Sequence, residues 1–352
     1  MAPPRPALYA GPRGSYALGR RDLLLPGGSL TTGARGTDTP SAFVTGGAGF
    51  VGSTLVDRLL AEGWQVAAFD SFDPYYTPSV KHNNLAGAHK HPRFELIEGD
   101  TTEAGAILSA VRRVRPTVVF DLAARAGVRP SIADPASYMR TNVLGLQHTL
   151  SAAADVEARV VFASSSSIYG ADSRRPFHED QVLGRPESPY GASKVAGEAL
   201  CHAHHAITGL PVGVARLFTV FGPRQRPDLA IHAFARRMLA GEELELFDGG
   251  TAIRDYTYVD DVVDALMSLA RAESNYLIVN IGSHHPVRTD EMVSSLERAL
   301  GVTARRRLLP AQLGDVPATF ADVTRAREQL GWSPTTEFDR GIDQFAAWVR
   351  SQ

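Results

Sequence analysis

Tyr190 and Lys194 stand four residues apart in Ser188-Pro189-Tyr190-Gly191-Ala192-Ser193-Lys194, a spacing that sets both side chains on one face of a helix. An ammonium beside a phenol favours the ionised phenol and lowers its pKa toward working pH, which turns a tyrosine into a general base. Upstream, Ser164-Ser165-Ser166-Ser167 places four hydroxyls at the carboxyl end of an apolar run, residues 159–163. Taken alone, the Tyr-x-x-x-Lys pair also describes a solvated helix face, and the serines a polar loop. The stretch Thr45-Gly46-Gly47-Ala48-Gly49-Phe50-Val51-Gly52 shifts the balance toward chemistry. It follows the apolar Ala42-Phe43-Val44 and leads into a segment with Leu55, Leu59 and Leu60 at helical spacing. A strand that turns straight into a helix leaves the first helical amides without partners, so they can hold an anion. Gly46 permits the tight turn, Gly49 lets backbone approach a pyrophosphate, and Gly52 lets the helix pack closely on the strand. The next apolar run ends in Asp70, roughly 20 residues on, where a carboxylate can grip a ribose 2′-OH. The combination reads as a dinucleotide site, with Phe50 and Val51 inside it, that takes NAD in preference to NADP.

Those residues need a sheet to carry them. From Ser41 onward strand-like and helix-like segments alternate, as a parallel sheet covered on both faces requires. Strands are expected near 42–45, 65–69, 94–98, 118–122, 159–163 and 211–218, with helices near 103–113, 138–153 and 190–205. The third strand ends at Gly99-Asp100-Thr101, where Asp100 can accept from an adenine amine. The fourth opens onto Leu122-Ala123-Ala124, whose alanines let backbone approach the cofactor. From Thr219 the chain turns loop-rich. It then carries helices near 229–240, 262–270, 289–300 (capped by Thr289 or Asp290), 321–330 and 338–349, and strands near 244–247 and 276–280. The expected architecture is α/β, a Rossmann-like doubly wound parallel sheet with a smaller C-terminal α/β substrate lobe. Residues 1–40 read as a disordered leader, 41–218 as the NAD-binding part with segments returning from the C-terminal half, and 219–352 as mainly the substrate-binding lobe.

The leader is rich in Gly, Pro and Arg and buries too little apolar surface to offset its ordering entropy. An arm anchored by Leu23-Leu24-Leu25 is the other reading. The whole chain, 352 residues with 36 Lys plus Arg against 38 Asp plus Glu, has no electrostatic case for a nucleic-acid partner. Cys201 is the only cysteine, which excludes an internal disulfide and suggests a reducing, cytoplasmic compartment. No paired metal ligands accompany it, and no apolar run reaches membrane-spanning length.

The chain resembles the extended short-chain dehydrogenase/reductase family of nucleotide-sugar epimerases, dehydratases and decarboxylases. The positions that carry the likeness are residues 45–52, Asp70, Asp100, residues 122–124, Asn142, residues 164–170, Tyr190 with Lys194, Arg254 and Asp315. Within that family it is most similar to UDP-glucuronate 4-epimerases, through Asp73-Pro74-Tyr75-Tyr76, Ala126-Gly127-Val128-Arg129, the four serines, residues 218–223 and Arg226-Pro227-Asp228. The resemblance implies NAD held by residues 46–52, Asp70, Asp100, Thr101, residues 122–124 and Asn142, a nucleotide sugar (a UDP-sugar) as substrate, and a homodimer through helices near 135–153 and 190–206. It implies Tyr190 as the base, Lys194 holding the phenolate and the nicotinamide ribose, and Ser165 on the reacting oxygen. Arg254 would grip the diphosphate and Asp315 a ribose. Three positions depart from the pattern. Ser71 stands where Asn is common, and Asp121 and Arg125 stand where His and Gln are usual, two extra charges expected near the nicotinamide, either paired with each other or altering the pocket.

The implied reaction oxidises and re-reduces C4 of the sugar. For a glucuronate, the 4-keto intermediate is a β-keto acid that loses CO2 when its carboxylate lies perpendicular to the ketone. An epimerase must hold that carboxylate elsewhere; Ser166, Ser167 and Thr219, with Arg129 or Arg226, are the candidates. A dehydratase needs an acid/base pair where Ser166-Ser167 stand. A UDP-glucuronate decarboxylase, a neutral UDP-hexose 4-epimerase and a non-enzymatic NAD-binding regulator remain the other readings.

Overall fold

The apolar runs lie side by side as a sheet. The computed structural model describes residues 39–171, 173–181, 185–310 and 317–352; of the expected leader only residues 39 and 40 fall within them, and Asp315 falls outside. Twelve strands occur among the described residues: β1 (Ser41–Thr45), β2 (Gln65–Asp70), β3 (Phe94–Glu98), β4 (Val118–Asp121), β5 (Arg159–Ser165), β6 (Val212–Leu217), β7 (Thr219–Phe221), β8 (Glu243–Phe247), β9 (Ile253–Tyr258), β10 (Tyr276–Ile281), β11 (Pro286–Arg288) and β12 (Arg305–Leu309). Seven of them form one parallel sheet in the order β10-β6-β5-β4-β1-β2-β3. The expected Rossmann-like architecture is therefore present. Its strand order reverses between β1 and β4, and ligands of such sheets bind outside the carboxyl ends at that point.

Strand alternation explains why both faces are covered. Val44, Ala68, Phe120 and Val161 point to one face, where they meet Leu55 and Leu59 of the helix Phe50–Ala61 and Val262 and Leu266 of the helix Val259–Ala270. Phe43, Phe69, Val119 and Phe162 point to the other, against Ile107, Leu150 and Cys201 from helices Ala104–Val114, Leu146–Asp155 and Pro189–Thr208. With side chains period-2 along each strand, a fully apolar run buries both sides.

A third apolar cluster holds the C-terminal lobe, with Phe221, Ile231, Leu246, Tyr258, Leu296 and Phe345 at its centre. Four strands went unforeseen there: β7, β9, β11 and β12. β7 pairs with β9 within what read as loop, β11 pairs antiparallel with β9, and β12 pairs with β8. β12 begins Arg305-Arg306-Arg307, which carries no apolar alternation, and its arginines are exposed. Its order comes from the partner strand and from ion pairs, Arg306 with Glu297 at 2.7 Å and Arg307 with Glu243 at 3.4 Å. The expected cap at Thr289 or Asp290 also shifts. The helix Thr289–Leu300 is capped at Arg288, whose amide donates to Glu291 at 3.0 Å. No helix among the described residues is long and apolar enough to cross a membrane.

Candidate active site

A cleft of about 930 Å³ opens at the carboxyl ends of the strands, and the glycine turn forms part of its floor. Gly46, at φ +66°, lies so close to the next strand connection that a Cβ there would stand 2.9 Å from the backbone of Ala123. A Cβ on Gly52 would overlap the carbonyl oxygen of Gly46. The helix Phe50–Ala61 starts at Gly49 with no side chain capping it, so its first amides, from Phe50, Val51 and Gly52, face the cleft open to an anion. Asp70 is 5% exposed yet lines the cleft. Its carboxylate accepts from the amides of Ala48 (3.1 Å) and Phe72 (2.8 Å) and from Lys81 Nζ (3.1 Å), which fixes it at the cleft edge. These features fit a dinucleotide: a backbone cradle only glycine permits, an uncapped helix start, and a held carboxylate at the end of β2.

Asp100, Thr101, Leu122, Ala123 and Ala124 line the same cleft. Asp100 accepts from the Thr102 amide at 2.8 Å. Thr45 stitches β1 to β4: its hydroxyl accepts from the Leu122 and Ala123 amides, both at 3.1 Å, and donates to Asp121 Oδ1 at 3.0 Å. Asn142, expected on the cofactor, stands behind the cleft instead. Its side chain accepts from the Arg125 amide (2.8 Å) and donates to the Arg125 carbonyl and Ser193 Oγ (both 2.9 Å), so its capacity goes into holding the neighbouring loop. A wide π-helical turn, Arg140–Gly145, carries it there, in place of the uninterrupted helix the periodicity suggests.

The two charges flanking residues 122–124 do not pair with each other. Asp121 is 3% exposed beneath the cleft, and burial raises its carboxyl above the ordinary range, opposed by Lys194 and by bonds from Thr45 and Thr149. Arg125 lines the cleft and pairs with Asp73 at 2.7 Å.

Tyr190, Lys194 and Ser165 all line the cleft. Ser188 caps the helix Pro189–Thr208 by accepting from the Gly191 amide at 3.1 Å, and Tyr190 and Lys194 follow in its first turns. Burial pushes the Tyr190 phenol up, while its hydrogen bond with Ser165 and the charge of Arg226 pull it down. Burial likewise lowers the Lys194 ammonium to about 8, with Asp121 the largest opposing charge. Lys194 Nζ donates to the Ala163 carbonyl at 2.7 Å and sits 4.8 Å over the Phe162 ring. Ser165, at the end of β5, accepts from the Ser167 amide and donates to Ser167 Oγ, both at 3.2 Å. One residue earlier, Ser164 donates to Glu198 Oε1 at 2.6 Å, and Glu198 forms a buried pair with Arg216 at 2.8 Å. That network ties the serine turn, the Tyr-Lys helix and β6 together.

Ser166, Ser167, Arg129, Thr219, Arg226 and Arg254 all line the cleft. Arg226 pairs with Asp228 at 2.6 Å, but its side chain is only 13% exposed, so it is no freely solvated surface pair. Its guanidinium also donates to the Ala126 carbonyl at 3.2 Å and packs 5.0 Å from the Tyr75 ring centre, while the hydroxyls of Tyr75 and Tyr138 reach that same carbonyl at 3.2 Å. Arg129 stacks on Phe247 at 5.2 Å. Arg254 is held on β9 beside Asp255, whose buried carboxylate accepts from Ser283, His284 and Ala321 amides at 2.6, 3.2 and 3.0 Å. Two parts of the site escaped the sequence reading. Lys81 lay in a polar segment with nothing to mark its tie to Asp70, and Asp73, noted only as part of a resemblance, gains its meaning from Arg125.

The sequence pattern of the NAD dependent epimerase/dehydratase family matches residues 42–282. The chain belongs to that family. This family member is 36% identical over 327 residues to UDP-glucuronate 4-epimerase 3 of Arabidopsis thaliana, a match spanning 88% of this chain and 76% of that one. Its fold superposes with a TM-score of 0.83 on the UDP-glucuronic acid 4-epimerase of Bacillus cereus, solved with UDP-glucuronic acid and NAD; identity is 32%, with 88% and 99% of the two chains covered. The UDP-glucose 4-epimerase of Thermotoga maritima, solved with UDP-glucose, superposes with a TM-score of 0.82 at 30% identity, again over 88% and 99%. The epimerase fold, an isomerase chemistry and dependence on NAD follow for this family member.

Proposed function

We propose that this chain is a UDP-glucuronate 4-epimerase that works through a transient 4-keto sugar. The observation that carries the reading is the shared cleft of Tyr190 and Ser165 with Ser166, Ser167, Thr219 and Arg226, a base and a carboxylate-binding set within one enclosure. The UDP-glucuronate 4-epimerases among its relatives support it.

Tyr190, as phenolate, takes the proton of the 4-OH and later returns it. Ser165 hydrogen-bonds the same oxygen and steadies it as it becomes a ketone. Lys194, in its protonated form, steadies the phenolate once it forms, alongside the charge of Arg226 that pulls the phenol down. NAD, held by residues 46–52 and Asp70, supplies the acceptor and then the donor for the C4 hydrogen and its electron pair. Arg254 holds the diphosphate by its fork of donors while the sugar turns over. Hydroxyls of Ser166, Ser167 and Thr219, with Arg129 or Arg226, hold the carboxylate in line with the ketone plane, where CO2 loss is disfavoured. Met139 and Leu144 are exposed large apolar residues on the segment 135–153, and Ile207 is another just past the end of the segment 190–206; they support a homodimer through those helices. The single cysteine supports a cytoplasmic setting.

The test is incubation of purified protein with UDP-glucuronate, without added NAD, followed by NMR of the sugar and assay of CO2. UDP-galacturonate without CO2 is the expected product. CO2 with a UDP-pentose moves the assignment to a decarboxylase. Turnover of UDP-glucose alone moves it to a neutral-sugar epimerase.

A further inference from the structure

β2 and β4 lie on either side of β1, and the 46–52 turn rises from the end of β1 between them. Strands two places apart in a sheet are separated by roughly 10 Å. Asp73, just beyond the end of β2, and Arg125, just beyond the end of β4, close that gap with a 2.7 Å ion pair. Both residues line the cleft. Each rises from a fixed base. Asp73 Oδ1 accepts from the Tyr75 amide at 2.9 Å, and Asn142 holds both the amide and the carbonyl of Arg125. Tyr75 adds a second crossing, its hydroxyl on the Ala126 carbonyl at 3.2 Å and its ring 5.8 Å from the Arg125 guanidinium. A ligand whose phosphates sit on the 46–52 turn lies under this bridge.

We propose that the Asp73–Arg125 ion pair is a latch across the glycine turn that slows the exit of the bound dinucleotide. The latch rests on the reading of that turn as the NAD site. It suits a reaction that restores its cofactor in every cycle, since release of NAD then serves no step. The side chains of Arg125 and Asp73 are 27% and 39% exposed, which makes the pair a modest and salt-sensitive barrier.

The experiment loads the protein with radiolabelled NAD, chases with excess unlabelled NAD, and follows retained label by filtration at low and high salt. Asp73→Asn keeps the oxygen that accepts from Tyr75 and loses only the charge; Arg125→Gln removes the other partner. Each is expected to speed exit about two- to fivefold at low salt, and to abolish most of the salt dependence seen in the unaltered protein. The charge-exchanged double variant, Asp73→Arg with Arg125→Asp, is expected to slow exit again relative to either single change. Label retained by every protein with equal exit rates and equal salt dependence overturns the latch alone. Unaltered protein that holds no label at all overturns the reading of the NAD site, and the latch with it.

Discussion

Lys194 donates its ammonium to the Ala163 carbonyl oxygen at 2.7 Å, two residues before Ser165 on the same strand. One bond thus locks the helix that carries Tyr190 to the strand that carries its serine. It also leaves the ammonium buried, with its pKa lowered to about 8, against which the charge of Asp121 acts.

The proposed role of Lys194 at the phenolate and the nicotinamide ribose needs the protonated ammonium, so turnover is expected to fall as pH rises through its pKa, about 8. Asp121 holds that value up by its negative charge; Cys201 and Glu198 act in the same direction, and Glu198 is already paired with Arg216. Asp121→Asn is therefore expected to move the alkaline limb of the kcat profile to lower pH. A pH–rate profile of the two proteins checks it, and a limb that stays in place removes Asp121 from this role.

Tyr190→Phe removes the proton acceptor and keeps the ring. Its kcat is expected to fall about 10²- to 10⁴-fold, with UDP-glucuronate affinity measured by calorimetry within a few-fold of the unaltered protein. Loss of binding instead of turnover would assign Tyr190 to substrate placement.

Gly52→Ala places a methyl group against the Gly46 carbonyl oxygen. Alanine is the better helix former, so any loss comes from the crowded turn. Destabilisation of about 1–3 kcal/mol and loss of co-purifying NAD are expected. Denaturant titration and absorbance of the released nucleotide measure both.

The carboxylate anchor has its own signature. Ser167→Ala and Arg226→Ala each remove a donor to a charged group, worth about 1.5–3 kcal/mol. Weaker UDP-glucuronate binding and a rise in CO2 release per turnover are expected, with binding of neutral UDP-hexoses little changed. If Ser167→Ala and Arg129→Ala both leave uronate binding and CO2 release untouched, the anchor lies elsewhere in the cleft.

Most of the central fold was legible because its signals are local. Apolar runs of strand length, helical spacing at Leu55 and Leu59, and the glycine turn in which a Cβ on Gly52 would strike Gly46 are properties of short segments. Tyr190 and Lys194 share a face by helix geometry alone, whatever surrounds them. β7 and β12 were not legible, since Thr219–Phe221 and Arg305–Leu309 become strands only through β9 and β8.

Sequence by itself therefore determined the parallel α/β scaffold, the glycine turn with the strand that ends in Asp70, and the helix face shared by Tyr190 and Lys194, each readable from short segments and their spacing. Tertiary structure alone decided where charges without such local constraints find partners. It set Lys81 on Asp70, buried Asp121 beneath Lys194, turned Asn142 onto the Arg125 backbone, and joined Asp73 to Arg125. A side-chain ion pair or hydrogen bond is formed by whichever groups the strand order brings within about 3 Å, and spacing along the chain holds no record of that order.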